Sequence, residues 1–245
     1  MSRALTLVTG ASRGIGRAVA LDCAQDGHDL ILLARERKDE LEAVKRLAEH
    51  AGAGLVVAAL CDIADDTAVA ALFGSLPRPL TGLVNCAAIA GERMRLADQP
   101  LDSIDRILAV NLRGTLLMCR FAITSMARGN GGGGGAIVNL SSQSARFGGD
   151  KLAAYSATKA AIEGLTISLA REVAGDGIRV NAVSPGPVLT EPVRALPPEK
   201  LRTMEASLPM GRFCTPEEVA HTVTWLLSGR ASYVSGVVVP VHGAR

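Results

Sequence analysis

Short apolar runs alternating with longer helical stretches predict an α/β fold: one domain on a doubly wound parallel sheet of about seven strands, with helices on both faces. Two further observations support it. The apolar runs are mostly continuous rather than alternating, as in strands covered on both sides. A chain of 245 residues, 48% hydrophobic, can bury one large core and has no length for a second substrate domain.

In chain order, the first strand is expected at 4–8 and runs into a glycine-rich turn that opens a helix over 14–26. Strands at 29–34 and 55–60 follow, separated by a helix at 38–51, and a helix at 65–75 precedes the fourth strand at 82–84. Residues 89–100 carry charges and end in Pro100, as a loop should, before a long helix over 101–128. Residues 130–135 are nearly all glycine and read as a connector to a fifth strand at 136–140. A helix over 153–174, a strand at 179–183, a helix at 216–227 and a last strand at 237–241 complete the alternation. The proline-rich stretch 184–215 is long for a loop in a compact domain, which points to function. Its part from about 187 to 210 is the expected substrate loop, with a short helix near 198–208 as a lid.

Composition excludes several classes. Lys+Arg 26 against Asp+Glu 24 gives a net charge of +2, no general attraction for nucleic acid or anionic membrane, and aromatics at 3% provide no base-stacking platform. Five scattered cysteines without a C-x-x-C pair read as free thiols, and four isolated histidines offer no metal-ligand spacing. The first strand begins at once, leaving no room for a signal peptide, and no apolar run is expected to reach the roughly 18 residues of a membrane span. A cytoplasmic location is expected.

Three motifs carry chemistry. Thr9-Gly10-Ala11-Ser12-Arg13-Gly14-Ile15-Gly16 joins the first strand to the first helix. Its glycines permit a tight turn and close approach of a pyrophosphate, whose charge rests on the free N–H groups of the helix N-terminus. A tight turn alone would use the same residues, but at the first strand of an alternating pattern the dinucleotide reading is favoured. Tyr155 and Lys159 lie four apart on a helix and therefore on one face, where an ammonium would favour phenolate over a phenol that ordinarily titrates near pH ~10. Such a pair is commonly a solvated surface feature, so the third motif matters: Ser142, thirteen residues before Tyr155, with Ser141 as the fallback hydroxyl.

Together these segments resemble the short-chain dehydrogenase/reductase family, in its single-domain, Rossmann-like branch, over essentially the whole chain. Gly10, Ser12, Arg13, Gly14, Ile15 and Gly16 match its cofactor loop, and Asp62-Ile63 its adenine contact. Asn111 matches the helix asparagine, and Ser142, Tyr155 and Lys159 the catalytic set. Pro185, Gly186, Val188 and Thr190 match the P-G-x-x-x-T segment beside the nicotinamide. The resemblance implies hydride transfer between a nicotinamide dinucleotide and a carbonyl or secondary alcohol. Tyr155 would be acid or base, Lys159 would bind ribose and lower the Tyr155 pKa, Ser142 would stabilise the oxygen, and Asn111 would hold a water of a proton relay. A homotetramer is expected on the same ground. Where the family commonly shows N-N-A-G, this chain has Asn85-Cys86-Ala87-Ala88, so Asn85 and Cys86 become the expected ribose contacts and Ala88 stands where a glycine conformation could be needed.

NAD-preferring members of the family this chain resembles tend to end the second strand in an acid; the matching position here is Ala34, followed by Arg35, which with Arg13 could bracket a 2′-phosphate, so NADP(H) is expected over NAD(H). The alternative reading is a 3-oxoacyl-(acyl carrier protein) reductase, disfavoured by Asp176 in a turn where carrier-linked relatives commonly show a basic residue. A non-catalytic dinucleotide sensor is a third, and it would need none of Ser142, Asn111, Tyr155 and Lys159.

Overall fold

The computed structural model describes residues 3–244. In its first half β1 (Leu5–Thr9), α1 (Gly14–Gln25), β2 (Asp29–Ala34), α2 (Lys38–Ala51), β3 (Val56–Leu60), α3 (Asp66–Gly74) and β4 (Gly82–Asn85) alternate. Then come α4 (Leu101–Leu108), a π-helical stretch (Ala109–Gly114), α5 (Thr115–Met126), β5 (Gly135–Leu140), α6 (Ser144–Phe147) and α7 (Ala153–Glu172). The chain ends with β6 (Ile178–Pro185), α8 (Glu191–Arg194), α9 (Pro198–Ala206), α10 (Pro216–Leu227) and β7 (Val238–Val241).

All seven strands are parallel, in the order β3-β2-β1-β4-β5-β6-β7. Strand pleating explains why the runs are apolar throughout. Leu30 and Leu32 of β2 face a core shared with Val19 of α1, Val44 of α2 and Val223 of α10, while Ile31 and Leu33 face one shared with Val69, Met118 and Ala170. The chain winds outward from β1 to β3, then returns to place β4 on the other side of β1. That reversal opens a crevice beyond the carboxyl ends of β1 and β4, where doubly wound sheets bind ligands.

Several details depart from the sequence expectations. The long helix is interrupted by the π-helical stretch, which apolar periodicity does not reveal. The stretch Leu101–Met126 is also long and apolar enough to qualify as a membrane span, contrary to expectation, although its Met118, Cys119, Ala122 and Met126 are buried in the core. β6 continues through Pro185, and α6 is a single turn too short to leave a periodic signal. α10 begins with a capping box: Thr215 accepts from the Glu218 N–H, and Glu218 accepts from that of Thr215.

Candidate active site

The glycine turn is shaped by backbone contacts. Gly10 and Gly14 have positive φ, and a Cβ on Gly16 would lie 2.2 Å from the Gly10 carbonyl oxygen. Thr9 Oγ1 accepts from the N–H groups of Cys86 and Ala87, both at 3.0 Å, tying the turn to the end of β4. Arg13 at the N-cap makes no capping hydrogen bond and the first turn of α1 holds no acid, so the helix offers its end to an anion. Above it opens a cleft of about 350 Å³. Gly10, Ser12, Arg13, Gly14, Ile15 and Gly16 form its floor. Arg35, Asp62, Ile63, Cys86 and Thr190 form part of its wall. A glycine-cradled helix end, adjoining cations and an open crevice suit the pyrophosphate and adenosine of a dinucleotide.

Two features of that wall were not legible in the sequence. Arg106, on α4, donates to Asp62 Oδ2 at 2.6 Å, while Asp62 Oδ1 accepts from the Ala64 N–H at 3.0 Å. Burial alone would raise the Asp62 carboxyl, but these hydrogen bonds outweigh it and hold it below the usual carboxylate range. Glu36, which also lines the cleft, is paired with Arg35, so the cation expected to meet a 2′-phosphate is shared with an acid. Only packing brings Arg106 to Asp62, 44 positions away.

The catalytic candidates converge on the face of α7 toward the ends of β4 and β5. Lys159 is 4% exposed; its Nζ donates to the Leu140 carbonyl at 2.6 Å and lies 5.7 Å from the Tyr155 ring centre. Burial lowers its pKa to about 8. Tyr155 departs from expectation. Burial raises its phenol above the ordinary value, and a hydrogen bond with Ser142 offsets this in part.

Ser142 and Ser141 separate clearly. Ser141 Oγ donates toward the Lys159 carbonyl at 3.2 Å and Glu163 Oε1 at 3.0 Å, so it faces the body of α7. Ser142 Oγ accepts from the Ser144 N–H at 3.2 Å and the Ser144 hydroxyl at 3.0 Å, and it lies near enough to Tyr155 to lower the phenol.

Asn111 sits in the π-helical stretch, a distortion frequent at functional sites. Its side chain both donates to and accepts from the Ile89 backbone at 2.8 Å, and it donates to Thr158 Oγ1 at 3.2 Å. The amide expected to hold a relay water thus latches the loop after β4 onto α7.

Pro185 and Gly186 are fixed by backbone bonds to Gln143 and Val241, Val188 bridges to Cys214, and the Thr190 methyl lies over Gly14. Asn85 does not line the cleft: its amide donates to Asn139 Oδ1 at 2.9 Å inside the sheet, and Cys86 alone of the expected pair lines the cofactor wall. Ala88 is not among the positive-φ residues, so its methyl strains nothing.

The family model described as Enoyl-(Acyl carrier protein) reductase matches residues 10–243. The chain belongs to the short-chain dehydrogenase/reductase family. Within it, the uncharacterized oxidoreductase YgfF of Escherichia coli is 40% identical, over 99% of this chain and 100% of its own length. The 3-oxoacyl-[acyl-carrier-protein] reductase FabG of Staphylococcus aureus is 37% identical, over 97% and 96%. A Beutenbergia cavernae protein, assigned as an NAD(P)-dependent gluconate 5-dehydrogenase and solved with NADP bound at low occupancy, superposes with a TM-score of 0.91 at 35% identity, covering 100% of this chain and 97% of the other.

Proposed function

We propose that this chain is an NADP(H)-dependent oxidoreductase acting between the carbonyl and secondary-alcohol forms of a small molecule. The observation that carries the reading is the convergence of Tyr155, Ser142 and Lys159 beside a glycine-cradled cleft at the reversal of the sheet. The bound dinucleotide supplies or accepts the hydride. Gly10, Gly14, Gly16 and the α1 N-terminus would hold its pyrophosphate, Asp62 and Ile63 its adenine, and Arg13 and Arg35 a 2′-phosphate.

The side chains account for the proton. A phenol raised by burial stays protonated at neutral pH, so Tyr155 has its proton available for a carbonyl oxygen. Ser142, held by Ser144 beside Tyr155, would donate to the substrate oxygen as charge develops there. Lys159, buried and with its pKa near 8, would bind ribose hydroxyls with the protons not used at Leu140. Asn111 positions α7 through Thr158 and the Ile89 loop, which fixes where Tyr155 stands.

The segment 187–210, with α8 and α9 exposed along it, acts as a substrate lid, and the enzyme works as a cytoplasmic homotetramer. The test is NADPH oxidation, followed by absorbance, across a panel of ketones, keto acids and sugars. Tyr155→Phe should lower kcat by about 10²–10⁴-fold while NADPH binding changes little. Full activity in that variant ends the proposal. The similarity to FabG favours acyl-carrier thioesters as a second substrate class; Asp176, in the turn after α7, opposes it, and acetoacetyl thioesters in the same panel separate the two.

A further inference from the structure

Gln143 follows Ser142 directly, and its amide oxygen is buried with no hydrogen-bond partner among the described residues. Its backbone holds it in place: the N–H donates to the Pro185 carbonyl at 2.9 Å, and its own carbonyl accepts from Arg146 and Phe147 at 3.1 and 3.0 Å. Its Oε1 lies against Gly186, where an added Cβ would come within 3.4 Å of it and 2.8 Å of the His242 Cβ. His242 in turn meets the Phe147 ring edge-on, with ring centres 6.0 Å apart. Gln143, Gly186 and His242 thus meet at one point, beside the serine that addresses the reacting oxygen.

A buried acceptor without a donor is costly, and native proteins rarely keep one without a reason. Here the donor can come from the substrate. A hydroxyl close to the reacting carbonyl would complete the amide oxygen, whereas a plain ketone or alkyl thioester would leave it unpaired. We propose that Gln143 is a specificity-determining residue that accepts a hydrogen bond from a hydroxyl near the reacting carbonyl, so that hydroxy ketones and their diols are the preferred substrate class. The inference rests on the oxidoreductase reading above and narrows its substrates.

The test compares acetoin with butanone, and hydroxyacetone with acetone, as NADPH-linked kcat/KM values in the wild type and in Gln143→Met, an apolar replacement of similar length. Comparing the two proteins cancels the greater inherent reactivity of hydroxy ketones. The hydroxy-to-plain ratio should fall about tenfold or more in the variant, with butanone turnover within about twofold of wild type. Thermal unfolding adds a second readout: removing an unpaired buried acceptor should leave Tm unchanged or raised. An unchanged ratio overturns the assignment, as does an equal loss on both substrates with a lowered Tm, which would mark a structural role. Misfolding of both Gln143→Met and Gln143→Leu overturns it too. If the wild type binds NADPH yet reduces no carbonyl, the reaction itself is misread and this inference falls with it; turnover with an unchanged ratio sinks the inference alone.

Discussion

The glycine turn at 10–16 and the segment carrying α8 and α9 border the same cleft and are built in opposite ways. In the turn, Ala11 and Gly16 are buried and Ser12 is 9% exposed, with the backbone packed against itself and against Ala87. Neither α8 nor α9 contains a buried residue. The turn has a shape set by its crowded backbone, which leaves little room for other residues. The segment opposite carries two helices without buried residues, so its side chains can change without disturbing the sheet.

The sharpest way to break this comparison is Gly16→Ala. Its methyl would meet the Gly10 carbonyl, so NADPH dissociation constants should rise tenfold or more and stability should fall by about 1–3 kcal/mol, the usual range for overpacking. Calorimetric titration and thermal melts read both, and normal binding would show that the turn is not rigid.

Next is Lys159. Its pKa drops from 10.5 to about 8 on folding, so between those values the unfolded chain holds more protons and stability rises with pH. Below pH 8 the charged, buried ammonium costs the fold up to about 3 kcal/mol. Denaturant unfolding of the wild type should therefore gain stability from pH 8 to pH 10 relative to Lys159→Met, and parallel profiles would refute the burial argument.

A smaller effect is expected at the cofactor rim. Arg35→Ser should lower kcat/KM for NADPH about tenfold and leave NADH nearly unchanged, the loss being limited because Arg35 is exposed and already paired with Glu36. Equal losses with both cofactors would remove Arg35 from 2′-phosphate recognition. The smallest stability change belongs to the segment opposite. Met204→Ala on α9 should stay within about 0.5 kcal/mol of wild type while shifting substrate KM, and a large Tm loss would mean that α9 is part of the core.

The fold and the main line of the site were legible because their signals are local. Apolar runs report strand pleating, the glycines at 10, 14 and 16 report a turn, and the Tyr155–Lys159 spacing reports one helix face. The protonation of the site is less legible for the same reason. The spacing puts Lys159 near Tyr155, but not that the ammonium turns to Leu140 while burial raises the phenol. Asn111 was picked out by motif, yet its grip on Ile89 depends on a loop 22 positions away.

The chain's own order of residues determined the alternation of strand and helix, the anion-ready start of α1 and the pairing of phenol with ammonium, since each follows from neighbours within a turn or a pleat. Tertiary structure alone decided that Ser141 turns to Glu163, that Arg106 holds Asp62, that Asn85 turns into the sheet, and that the Gln143 oxygen is left without a donor. These outcomes depend on how elements far apart in sequence pack together, and on which polar atoms that packing closes off from water.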